Sequence, residues 1–196
     1  MDTATIIAIV ILVLVLIGLA AWYYTRQSRS RKLRERFGPE YHNTVRNLKS
    51  REAAEAELAG REKRVSRFNI VPLSAEDCAR YQQSWLGVQS EFVDRPEDAV
   101  ADANRLVREV MQKRGYPMAG FEQNAADLSV DHPAVVENYR AAHRIAERSQ
   151  RGEADTEELR KAVVYYRALF QDLLGNGHPV DERSTSVAAD RTRRAS

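Results

Sequence analysis

The stretch DLSVDHPAVVENYRAAH, Asp127 to His143, holds two histidines, two aspartates, a glutamate and a tyrosine. These are residue types for general acid–base work or for binding a divalent metal. Spacing argues against a shared metal. His132 and His143 stand eleven residues apart, about 16 Å along a helix, whereas two zinc-bound nitrogens must each lie within about 2.1 Å of the ion. The chain has no His pair at i, i+4 and no Glu-x-x-His, the spacings that put two ligands on one helical face.

A weaker cluster remains: Asp127, Asp131 and His132 could converge at a helix start and be completed by a carboxylate from elsewhere. Capping and local turn bonds account for the same residues with fewer assumptions. Pro133 fits the first helical position, where its missing N–H would be unpaired anyway. His132, before proline, is biased out of the helical region and becomes the cap or its neighbour. The helix should then run to about Gln150, with Val135, Tyr139, Ala142 and Ala146 facing the core and His143 packing beside them. Cys78, the single cysteine, cannot form an internal disulfide or a multi-thiolate zinc site, and reads as a half-buried thiol. The chain lacks a Gly-rich phosphate loop, a Gly-x-Ser-x-Gly elbow and a dinucleotide fingerprint. No residue is assigned a catalytic, cofactor-binding or metal-binding role, and no cofactor is expected.

The elements around this stretch are set by charge and hydropathy. Residues 1–5 form a short tail. Residues 6–24, Ile6 to Tyr24, are nineteen uncharged and nearly all apolar positions, about 28 Å as a helix and long enough to span a bilayer core. Trp22, Tyr23 and Tyr24 close the run as membrane-interface anchors. The basic juxtamembrane segment, 25–39, carries Arg26, Arg29, Arg31, Lys32, Arg34 and Arg36, candidates for contact with anionic lipid headgroups. No Lys or Arg precedes the span, so the positive-inside rule puts the N-terminus outside and the C-terminal part in the cytoplasm, a single-pass protein of the cell membrane. A cleaved signal peptide fits less well, because the leading region has no positive charge.

Residues 40–68 are rich in Ala, Glu, Arg and Lys, and predict one charged stalk helix. Its sparse apolar positions break strict heptads but leave self-association open. Residues 74–175 show successive helical stripes and caps. Ser74 begins a helix whose Tyr81, Trp85, Val88 and Phe92 share one face. Asp94 caps the next, which Gly115 ends, and a short helix covers about 122–128. Asp155 and Glu158 form a capping box for the last, closed by Gly175. The fold class is all-α, ending in a small antiparallel bundle. Residues 176–196 lack periodicity and read as a disordered tail.

The net charge is +4 over residues 1–36 and −5 over 69–175. A nucleic-acid binder usually carries its positive charge on the folded domain, so no nucleic-acid partner is expected. The segments RFGPEY, RGYP (Arg114 to Pro117) and DLSVDHPAVVENYRAAH resemble those of bacterial single-pass, membrane-anchored helical proteins of no established function, and the resemblance implies no activity. Three functions follow in order: a membrane-tethered interaction or scaffold module with the bilayer and a protein as partners; a small-ligand or stress-sensing bundle with a pocket near Tyr81, Trp85, Tyr139 and Tyr166; and a hydrolase-like site at Asp127–His132. A carboxylate within reach of His132 would raise the third.

Overall fold

A computed structural model describes residues 3–175, apart from the side chains of 3–11, Trp22 and Thr25. The tail expected over 176–196 lies outside the described residues. These form eight helices and no strand, the expected all-α class. The chain divides into two compact units at Ser66 and Arg67.

The first unit contains α1 (Thr3–Phe37), α2 (Pro39–Leu48) and α3 (Arg51–Val65). α1 already begins inside the expected N-terminal tail and runs unbroken through the apolar and basic segments. Among the described residues no helix is long and apolar enough to cross a membrane. Of the expected span Ile6–Tyr24, the side chains of 6–11 and Trp22 fall outside them.

Gly38, at φ 47°, turns the chain after α1, and Pro39 opens α2. Where one stalk helix is expected over 40–68, the structure has two. Lys49 adopts the left-handed conformation at φ 52°, and the Ser50 hydroxyl accepts from the Ala53 N–H at 3.2 Å to start α3. The break uses neither Gly nor Pro, so the local composition conceals it.

α3 then runs parallel to the basic end of α1. Arg26 meets Glu52 at 2.8 Å, Ser30 donates to Glu55 at 2.7 Å, and Arg36 meets Glu62 at 2.9 Å. Leu33, Phe37, Tyr41, Ala54, Leu58 and Val65 form the small core between the three helices. Glu40 is buried in α2 and pairs with Arg61 of α3 at 2.8 Å.

The second unit holds α4 (Ala75–Asp94), α5 (Pro96–Arg114), α6 (Phe121–Asp131), α7 (Val136–Gln150) and α8 (Thr156–Leu173). Ser74 caps α4 as its sequence predicts, and Asp155 with Glu158 completes the capping box of α8. Two boundaries differ. α4 continues through Asp94, so Arg95 is the junction and Pro96 the first residue of α5. α6 extends to Asp131, and Pro133 lies in a turn before α7 starts at Val136. His132 therefore closes α6, its N–H donating to the Leu128 carbonyl at 2.8 Å, rather than opening α7.

α5 is the central helix, packed by α4, α7 and α8. Trp85 of α4 stacks on Phe170 of α8 with ring centroids 4.8 Å apart, and Tyr139 of α7 meets Tyr166 of α8 edge-on at 6.3 Å. Tyr81, Trp85, Tyr139 and Tyr166 are all buried in this core. His143 is half-buried and stacks on Phe121 at 3.6 Å. Burial holds its imidazole pKa below the ordinary value, because desolvation disfavours the cation.

Candidate functional site

Three helices of the second unit bring their C-terminal ends to one place. Arg114 is the last residue of α5, His132 the residue that closes α6, and Asp172 the penultimate residue of α8. They line a cavity of about 240 Å³ together with Leu73, Asp131 and Leu174. Helix C-termini carry partial negative charge and free carbonyls, so a cation is favoured there. Arg114 supplies one, donating through Nη1 to the Leu173 carbonyl at 3.0 Å.

The same Nη1 lies 3.2 Å from His132 Nε2. A guanidinium has only donors, so Nε2 must accept. Nδ1 then carries the proton and donates to Asp172 Oδ2, its immediate neighbour. Beside this chain, the Tyr116 hydroxyl donates to Asp131 at 3.1 Å. Burial first, and the Asp131 charge second, raise the Tyr116 pKa above its ordinary 10.0 and keep the phenol protonated.

A backbone strap closes one side. The Val71 N–H donates to the Arg114 carbonyl at 2.9 Å. Gly115 ends α5 at φ 98°, and a Cβ there would lie 2.3 Å from the Asn69 carbonyl oxygen. Only glycine combines that conformation with that approach.

Of the three residues grouped from the sequence, Asp131 and His132 reach the cavity. Asp127 does not line it; it is buried one turn earlier in α6, accepting from Gln123 Nε2 at 2.8 Å. The missing carboxylate is Asp172, forty residues from His132. Arg114 and Tyr116, both inside the RGYP segment, are the other participants that sequence spacing did not reveal.

A histidine held by a carboxylate is the base-and-orienter part of a nucleophilic triad. Here the Nε2 lone pair is occupied by Arg114, and among the described residues no Ser, Thr or Cys lines the cavity. Among the described residues, no group of three or more His, Cys, Asp or Glu is arranged to hold a metal ion. The geometry describes a polar clip joining three helix ends.

In the first unit, the six basic residues after the apolar run are largely exposed but not equivalent. Arg26 and Arg36 are paired across to α3, Arg31 lies 4.0 Å from Glu35, and the Arg34 guanidinium sits over the Tyr41 ring at 5.4 Å. Arg29, Lys32, Arg36 and Lys63 line a groove of about 750 Å³ along α1 and α3 together with Glu35 and Glu62, so basic groups outnumber acidic ones there by two. Tyr23 and Tyr24 are exposed, and the Trp22 side chain lies outside the described residues.

The chain matches no family model, no curated protein and no solved structure.

Proposed function

We propose that the chain is a membrane-tethered helical interaction module whose polar cluster is structural rather than catalytic. The observation that carries this reading is on α1. Leu12, Val13, Leu14, Val15, Leu16, Ile17 and Leu19 are all 46–62% exposed, on every side of a helix that continues directly into the charged three-helix unit. Burying one such side chain is worth about 1.5–3 kcal/mol, so leaving seven in water costs on the order of 10 kcal/mol. A bilayer removes that cost, and a helix satisfies its own backbone within lipid. Read together with residues 6–11 and the aromatic run at 22–24, α1 is a transmembrane anchor. The basic residues that follow favour the cytoplasmic side.

In this reading the groove of Arg29, Lys32, Arg36 and Lys63 faces anionic headgroups, and the acidic second unit is repelled from them. That leaves its surface free for a protein partner. The test is alkaline carbonate extraction of native membranes. The full chain is expected to stay in the pellet, and a chain beginning at Thr25 to be released. Release of the full chain, or retention of the shortened one, would overturn the anchor.

The small-ligand reading has one specific observation left to it. The aromatic rings Tyr81, Trp85, Tyr139 and Tyr166 are core residues, whereas Arg114, His132 and Asp172 line a cavity of about 240 Å³. A hydrolase-like reading gains the carboxylate beside His132 but finds no nucleophile along the cavity wall among the described residues.

A further inference from the structure

α4 carries two seams. One is the core face, Tyr81, Trp85 and Val88. The other runs along the solvent side: Ala75, Ala79, Gln82, Leu86, Gln89 and Val93, all exposed. Their spacings are 4, 3, 4, 3 and 4, so each position recurs after seven residues, and the pattern extends over the whole helix. This is the repeat of a coiled-coil seam, with Ala79, Leu86 and Val93 in one set of core positions and Ala75, Gln82 and Gln89 in the other. Leu86 is 57% exposed and Val93 81%, which leaves the two largest apolar side chains of the seam in water.

Charge sets this face apart. Other exposed helix faces of the second unit are laced with ion pairs one turn apart: Arg105 with Asp102 on α5, Arg140 with Glu137 on α7, and Arg160 with Glu157 on α8. The seam has no charge at any of its six positions, and its open flank adds Gln83 and Ser90, with Glu76 at the N-terminal end.

We infer that this seam pairs with the same seam of a second copy of the chain. A two-fold contact sets the same patch of both copies against one another, residue i on residue j and j on i, and only side chains near the axis meet themselves; a seam with no charge has no like-charge clash in either case. The segment 69–175 has a net charge of −5, so two such units repel least when they meet through an uncharged face, with their charged faces turned away into screening solvent. Glutamine suits the role, because each amide offers both a donor and an acceptor to its counterpart. This inference rests on the reading of the chain as a membrane-tethered interaction module. Confinement to one bilayer raises the effective concentration of two copies enough for a single helix pair to associate.

The experiment uses the full chain in intact cells, with Cys78→Ser as background and a short bismaleimide cross-linker. Leu86→Cys and Val93→Cys lie on the seam, and Ser84→Cys is exposed on the opposite side of the same helix. The seam variants are expected to give a product of twice the chain mass, about tenfold more than Ser84→Cys, since reaction follows effective concentration. Equal yields at the three positions, or a seam product whose mass is not twice that of the chain, overturn the inference. Carbonate extraction of the same cells afterwards reports on the anchor separately: partition tests the tether, and the mass of the product tests the seam.

Discussion

Asp172, near the end of α8, accepts the hydrogen bond from Nδ1–H of His132, the residue that closes α6. The pair fastens the last helix of the bundle to the shortest one, and Arg114 secures the third helix end through Nε2 and the Leu173 carbonyl. His132 and Asp172 both have largely buried side chains, so the bond is protected from water. Removing one member leaves the other poorly solvated.

Asp172→Ala is therefore expected to destabilise the bundle by about 1–3 kcal/mol, the cost of a buried donor left without its acceptor. Asp172→Asn, which keeps an acceptor oxygen, should lose clearly less. Urea unfolding followed by tryptophan fluorescence measures both, since Trp85 sits in the same core. Equal losses for the two variants would mean that packing, rather than the hydrogen bond, carries the contribution.

Gly115→Ala should be more damaging than its size suggests. The new Cβ meets the Asn69 carbonyl at 2.3 Å in a left-handed residue. The conformation alone costs about 1–2 kcal/mol for a residue with a Cβ, and the strap at 69–71 must move as well. The expected sign is a lower unfolding midpoint, with faster amide exchange at Val71, whose N–H is held by Arg114. An unchanged Val71 would show that the strap yields without losing its bond.

These two sites mark what the sequence could and could not reveal. The core face of α4, the glycine stop of α5 and the Asp155 capping box are local patterns, and each is where its pattern predicts. Pro133 illustrates the weaker kind of signal. Proline suits a first helical turn and a β-turn alike, and here the turn prevails because α6 extends far enough to make His132 its end. Asp172 had no local signal at all. It reaches His132 only because α6 and α8 end side by side, a tertiary fact that no periodicity encodes.

In the first unit, Glu55 Oε1 accepts from Ser30 at 2.7 Å, Tyr41 at 2.8 Å and Arg51 at 2.8 Å. Burial pushes its carboxyl upward, but the bonds from Arg51, Ser30 and Tyr41 together outweigh this and hold it below the ordinary 4.5. As pH falls, the unfolded carboxyl takes its proton first. The stabilisation is thus complete above about 4.5 and is lost as pH drops through the lower folded value. In detergent-solubilised full chain, amide protection of α2 and α3 should weaken over that range. Glu55→Gln should flatten the dependence, and an unchanged acid slope would assign it to other carboxylates.

Lys49 offers a test of the α2–α3 turn in which two geometries predict opposite signs. It is the one non-glycine residue of positive φ among the described residues, at 52°. A side chain is disfavoured there, and glycine adopts that conformation without penalty. Lys49→Gly should therefore stabilise the turn by about 0.5–1 kcal/mol after allowance for the greater freedom of glycine in the unfolded chain. In a continuous stalk helix over 40–68, position 49 would be helical, and the same change would cost about 1 kcal/mol. Lys49→Ala separates the two further, since alanine favours the helix but gains nothing at positive φ. Greater protection of the first turn of α3 in Lys49→Gly than in Lys49→Ala supports the three-helix unit. The reverse order would mean that α2 and α3 join into one rod, and that Glu40 with Arg61 and Ser30 with Glu55 are not partners in solution.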